Sequence, residues 1–193
     1  MTDYLFDVDK DSQVSSFEQI KKDLASIYKK YPNYQLFVTG HSLGGSLAQL
    51  TAFMLAGHAE TTFIQKPVIA ITFASPVVGN RGFLKTFKEL ENANKLRHIR
   101  VSNRHDVVPC AGTGFMGFKQ TGVNLHVKDG KMEVKYLNPK SLYSQFRSDS
   151  LHSHFLYGEG CYKSRLFRDE NKDILNMTID ELYEKYAGIP QAK

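Results

Sequence analysis

Residues 38–50 read VTGHSLGGSLAQL, and they set a serine between two glycines where an apolar run gives way to an alanine- and leucine-rich one. The run before it, YQLFVT at 34–39, has the composition of a short buried strand. The stretch after it, from Leu43 to about Ala56, contains no proline and predicts a helix. Gly40-His41-Ser42-Leu43-Gly44 is therefore a G-x-S-x-G sequence between a strand and a helix, the pattern of a nucleophile elbow. Such a turn is so sharp that the serine is held in a strained backbone conformation. Side chains at the flanking positions are expected to collide with the adjoining strand and helix, which is why Gly40 and Gly44 are read as part of the elbow. The turn lifts the Ser42 hydroxyl clear of the sheet, at a helix N-terminus where unbonded N–H groups favour a developing negative charge. The N–H of Leu43 is the predicted oxyanion donor.

Working outward, SSFEQIKKDLASIYKKYP predicts an amphipathic helix with Phe17, Ile20, Leu24, Ile27 and Tyr31 at three- and four-residue steps. Ser15 and Glu18 have capping-box spacing, and Pro32 closes the helix. PVIAITFA predicts a second strand, RGFLKTFKELENA a second amphipathic helix, and KLRHIRVS a third strand. Strand, helix, strand, helix, strand implies βαβαβ and a parallel sheet. Beyond Ser102 the pattern breaks into a glycine-rich loop, NRHDVVPCAGTGFMGF, and VNLHVKDGKMEVKYL then alternates around Asp129-Gly130 as a hairpin. From Ser141 the chain reads as mixed helix and loop, and TIDELYEKYAG as a short helix with capping-box spacing at Thr178 and Glu181 and a stop at Gly188. No linker interrupts residues 1–193, so a single domain of α/β class is expected.

A serine hydroxyl is a weak nucleophile until a base takes its proton, and the base is a histidine oriented by a carboxylate. On a sheet of this kind the order along the chain is serine, acid, histidine, with the acid just past a strand end. Asp106, in VSNRHDVVP, meets that condition. Asp129 belongs to the hairpin turn, and Asp149 lies too close to the histidine segment to be preferred. Of the seven histidines, His41 is expected to leave the elbow in another direction, His98 and His126 lie in strands, and His58 and His105 in loops. SLHSHFLYGEG then offers His152 and His154, and the residues themselves leave both open.

Composition narrows the class further. With 193 residues, 41% hydrophobic and 23% charged, the chain reads as globular with a real core. The net charge of +5 comes from scattered basic residues interleaved with acids, so it reads as a solvated surface. There is no basic stripe with interleaved aromatics, which argues against nucleic-acid binding. No stretch approaches the roughly 20 apolar residues of a membrane span, and MTDYLFDVDKD lacks a signal peptide's layout. Cys110 and Cys161 are too few for a disulfide framework and lack metal-ligand spacing, so free thiols are the default expectation, with a single bridge as the alternative.

Several of these segments together resemble the class 3, fungal-type lipases, an α/β-hydrolase family acting on acylglycerol esters. YPNYQLFVTGHSLGGSLAQLTAFMLA resembles that family's elbow, and ITFASPVVGNRGF its Phe-x-Ser-Pro-x-Val-Gly-Asn segment. RHIRVSNRHDVVP resembles its Arg-x-x-Asn-x-x-Asp-x-Val-Pro acid loop, and GVNLHV the hairpin after it. The similarity covers roughly residues 17–166. It implies an α/β-hydrolase fold, a serine ester hydrolase working on lipid esters at a transient lipid interface, no cofactor, Ser42 as nucleophile and Asp106 as triad acid. The family's histidine is followed a few residues later by tyrosine, sometimes with Arg-Leu beyond. His154-Phe-Leu-Tyr157 and Arg165-Leu166 fit, so the resemblance favours His154, with His152 as runner-up.

One departure stands at the N-terminus. Members of that family carry further strands, a lid and an Arg-Gly-Ser/Thr loop that gives a second oxyanion donor, and nothing before Phe17 resembles them. The expected fold is thus the C-terminal half to two-thirds of the family's, with β-strand 34–39 at an unpaired edge. The competing functional expectation is a catalytically impaired fragment or binding module. Cys110 and Cys161 follow the acid loop and the histidine segment, so a disulfide there would pin Asp106 and His154 together.

Overall fold

Ser15 begins the first long helix as the capping spacing predicts, its hydroxyl accepting from the Glu18 N–H at 3.2 Å. In the computed structural model, residues 3–9, 13–112, 117–134, 152–155, 157–159 and 161–186 are described. The loop stretch 113–116, the hairpin's far end at 135–137, the segment 141–150 and the stop at Gly188 lie outside these residues.

The order is α1 (Asp3–Phe6), α2 (Ser16–Lys30), β1 (Phe37–His41), α3 (Leu43–Gly57), β2 (Val68–Phe73), α4 (Arg81–Asn92), β3 (Leu96–Asn103), β4 (Val123–Lys128), β5 (Lys131–Val134), α5 (Tyr162–Leu166), α6 (Lys172–Leu175) and α7 (Ile179–Tyr186). The five strands form one sheet in sequence order, with β1 to β4 parallel and β5 antiparallel to β4. The β4–β5 turn puts Asp129 and Gly130 at positive φ, as a two-residue hairpin of the Asp-Gly type requires. β1 starts later than the apolar run suggests and continues through Gly40 and His41, so the strand delivers the chain directly to Ser42.

Alternation along the strands sends side chains to two cores. Val68, Ala70 and Leu96 face α2, α3 and α4, packing with Phe17, Tyr28, Ala52, Leu55 and Phe87. Ile99, Val101, Val123, Leu125 and Val127 face the other way and pack with Tyr162, Leu166, Leu182 and Tyr183 from α5 and α7. α2 buries Phe17 and Tyr28 but leaves Ile27 46% and Tyr31 48% exposed. Among the described residues β1 pairs only with β2, and Phe37 on it is 54% exposed.

The α7 helix is fastened through the buried hydroxyl of Tyr183. The Tyr183 hydroxyl accepts from the His98 N–H and faces Glu91 Oε1 at 2.7 Å. Burial pushes the Glu91 carboxyl up to about 7, against the opposing pull of Tyr183, Arg97 and Lys88. Between the ordinary 4.5 and about 7, the folded chain keeps a proton that the unfolded chain has lost, so stability from this group falls as pH rises across that window. Glu91→Gln is expected to match the wild type near pH 5 and to exceed it in stability near pH 8, measured by urea unfolding. Parallel stability curves for the two proteins would sink the prediction.

Candidate active site

The parallel strands β1, β2 and β3 all point their C-terminal ends at the same rim, and just past each end a non-glycine residue sits at positive φ: Ser42 at 54°, Ala74 at 53° and His105 at 70°. Such conformations are costly and persist only where the surroundings enforce them. At the elbow, the Ser42 N–H is tied to the Phe73 carbonyl at 2.9 Å, and its own carbonyl accepts from Gly45 N–H at 3.0 Å.

The glycines of the elbow divide differently from expectation. A Cβ on Gly40 would lie 2.2 Å from the Gly44 carbonyl oxygen and 2.7 Å from the Gly45 nitrogen, all backbone. A Cβ on Gly44 would meet nothing within 4 Å. The second close approach is at Gly45, whose added Cβ would lie 2.7 Å from the Ser75 Cβ. Gly44 therefore has no steric reason to be glycine: it lies on the open side of the first turn of α3, while Gly45 faces the β2 loop. Leu43, 45% exposed, occupies the first helical position beside Ser42. Its N–H belongs to the group that a helix cannot satisfy internally.

Ser42, Asp106 and His154 come together. The Ser42 hydroxyl is 2.9 Å from His154 Nε2, and His154 Nδ1 is 3.1 Å from both carboxylate oxygens of Asp106. Because Nδ1 faces a carboxylate, the proton sits on Nδ1, and Nε2 is the acceptor facing the serine. Asp106 is 4% exposed, and its Oδ1 also accepts from the Val108 N–H at 3.0 Å. His152, the runner-up, is exposed and its Nε2 faces the Glu159 carbonyl instead.

The tyrosine suggested by the His-x-x-Tyr spacing, Tyr157, is 72% exposed, with the Lys163 ammonium 5.3 Å above its ring. Tyr162 takes the place beside the acid. It is 1% exposed, donates to Asp106 Oδ2 at 2.7 Å and accepts from the Asn103 N–H at 3.0 Å. Burial first, then the Asp106 charge, pushes the phenol well above its ordinary range, so it stays a donor. Tyr162→Phe is expected to lower the labelling rate of Ser42 by about tenfold, the worth of one hydrogen bond to a charged acceptor. It leaves the apolar packing of the ring in place. An unchanged rate would show that Asp106 holds His154 without it.

Two residues of the acid-loop sequence acquire a structural meaning. Arg100, 3% exposed, donates to the Ser75 carbonyl at 3.2 Å and the Pro109 carbonyl at 2.8 Å, joining the loops after β2 and β3. Asn103 donates from Nδ2 to the Ser153 carbonyl at 2.9 Å and accepts from Arg165 at 2.8 Å. Their spacing to Asp106 was visible in the sequence; their partners were not. His41 was expected to turn away, but its ring lies 4.8 Å from that of His154 and its Nε2 is 2.7 Å from the His154 carbonyl. The cysteines are both buried thiols rather than a disulfide. Cys161 Sγ is turned to the His152 carbonyl at 3.2 Å, and burial raises Cys110 to about 12. His98 lies buried between Thr72 and Thr121, and His126 against Ser102, so neither reaches the site.

A mostly parallel sheet that delivers a serine on a strained strand-to-helix turn defines an α/β-hydrolase fold. A lipase from Rhizopus microsporus var. chinensis superposes with a TM-score of 0.57 at 25% identity, over 86% of this chain and 62% of that one. The chain belongs to the class 3 lipase family, whose sequence profile matches residues 4–114. Among its relatives are phospholipase A1-II 4 of Oryza sativa subsp. japonica, 33% identical, and phospholipase A1-IIgamma of Arabidopsis thaliana, 26% identical. These similarities cover 94% and 90% of the chain but only 45% and 42% of the two relatives, so the chain spans less than half their length.

Proposed function

We propose that this chain is a serine carboxylic ester hydrolase of lipase type, acting on acylglycerol or phospholipid esters. The observation that carries the reading is the hydrogen-bonded series Ser42 Oγ, His154 Nε2, His154 Nδ1, Asp106 on a strained elbow. Ser42 Oγ attacks the ester carbonyl carbon while its proton passes to His154 Nε2. Asp106 stabilises the imidazolium without taking the proton. The carbonyl oxygen becomes an oxyanion at the N-terminus of α3, with the Leu43 N–H as a donor. His154 then protonates the departing alcohol, and water, activated by the same nitrogen, releases the fatty acid and restores Ser42.

Phe155 and Tyr157, one and three residues after His154, are 57% and 72% exposed, which supports contact with a lipid–water boundary. No helix among the described residues is long and apolar enough to cross a membrane.

The test is to treat the folded chain with a fluorophosphonate, digest it and locate the adduct by mass spectrometry, then to offer triacylglycerol and diacyl phospholipid in mixed micelles. The expected result is an adduct on Ser42 and release of fatty acid. A folded chain that carries no adduct and releases no fatty acid would overturn the proposal in favour of a lipase-like binding module.

A further inference from the structure

His154 ends a single short turn, His152–His154, which is closed by one backbone bond, from the Phe155 N–H to the His152 carbonyl at 3.2 Å. Three successive carbonyls of that turn are in addition each held by a side chain from a different element. Cys161, at the start of α5, donates its S–H to the His152 carbonyl at 3.2 Å. Asn103, at the end of β3, donates to the Ser153 carbonyl at 2.9 Å. His41, at the end of β1, meets the His154 carbonyl at 2.7 Å through Nε2. A carbonyl only accepts, so His41 Nε2 carries the proton, and that nitrogen is unavailable as a base for Ser42.

We infer that His41 is a positioning residue that fixes the catalytic base, by tethering the His154 backbone to the strand that carries Ser42. The inference rests on the triad reading above. With the carbonyl held, the position of the His154 ring depends on its two side-chain torsions, and Asp106 constrains both through Nδ1. The 2.9 Å between Nε2 and Oγ is then set by the tether and the acid together. Misplacing a reacting group by about 1 Å can cost about 10²-fold in rate. The tether comes from the residue beside the nucleophile, so it acts directly across the gap that the proton must cross.

Two variants separate the tether from mere packing. His41→Phe keeps a ring against His154 and Tyr162 but has no donor. His41→Gln keeps an N–H donor at the same number of bonds from the backbone. With the whole chain and a fluorophosphonate at varied concentration, His41→Phe is expected to lower the limiting labelling rate about 10–100-fold with the half-saturating concentration unchanged. His41→Gln is expected to restore most of it. Hydrogen exchange is the second readout: amides of the segment around 152–155 are expected to exchange faster in His41→Phe, and at the wild-type rate in His41→Gln. Wild-type labelling in His41→Phe, or a Gln variant as slow as Phe, overturns the inference. If the chain labels too slowly to measure, unchanged exchange in His41→Phe overturns it and faster exchange supports it. His154→Ala serves as the control: labelling that survives it sinks the triad reading itself, whereas labelling lost there but unaffected in His41→Phe sinks only the tether.

Discussion

Replacing His154 with alanine is expected to slow fluorophosphonate labelling of Ser42 by about 10⁴–10⁶-fold, and His152→Ala to leave it close to the wild type. The two histidines are separated by one residue and were equivalent by composition. They differ in what their ring nitrogens meet. His154 bridges the serine hydroxyl and the carboxylate, at 2.9 and 3.1 Å, and is largely buried. His152 is exposed and spends its Nε2 on the Glu159 carbonyl. A serine without a base still stands at the N–H groups that open α3, which accounts for a small residual rate rather than none. Second-order labelling constants for the two variants decide the matter, and the reverse order of effects would transfer the base to His152.

The second large effect is on folding and falls on the elbow. Gly40→Ala is expected to cost about 3 kcal/mol or more, because its Cβ would lie 2.2 Å from the Gly44 oxygen and its three nearest atoms all belong to the Gly44–Gly45 backbone. Neither partner can retreat: Gly40 is the fourth of five residues in β1, and Gly44 is already in the first turn of α3. Gly44→Ala, two residues past the serine, is expected to be neutral or to stabilise by up to about 1 kcal/mol, since alanine is the better helix former and meets nothing there. Urea unfolding of both variants tests the pair. Equal losses at the two positions would mean that both flanking glycines are steric requirements, as the sequence pattern alone suggests.

That contrast marks the limit of reading by pattern. The strands, the helices α2 to α4 and the Asp-Gly hairpin follow from periodicity, capping and turn chemistry, all of them local. The strand-end placement of Ser42 and Asp106 was legible because each lies in a recognisable local sequence. Tyr162 was not, because its contact with Asp106 spans 56 residues and displaces a tyrosine with the more familiar spacing. His41 was misjudged for a similar reason: which way a side chain leaves a strained turn depends on what packs above it, here a loop more than 100 residues downstream. Gly45, rather than Gly44, approaches Ser75 because of how α3 leans on the loop after β2, which no spacing rule encodes.

β1 lies at the margin of the sheet, with a ladder to β2 on one side only among the described residues. Like β5 at the opposite margin it has one partner strand, and it is the strand that leads directly into Ser42. His41 and Ser42 are consecutive, so a tilt moves the hydroxyl and the anchor of its histidine by nearly the same vector. Displacements of the strand then act as a common-mode shift, altering where the pair sits on the molecule far more than the gap between them.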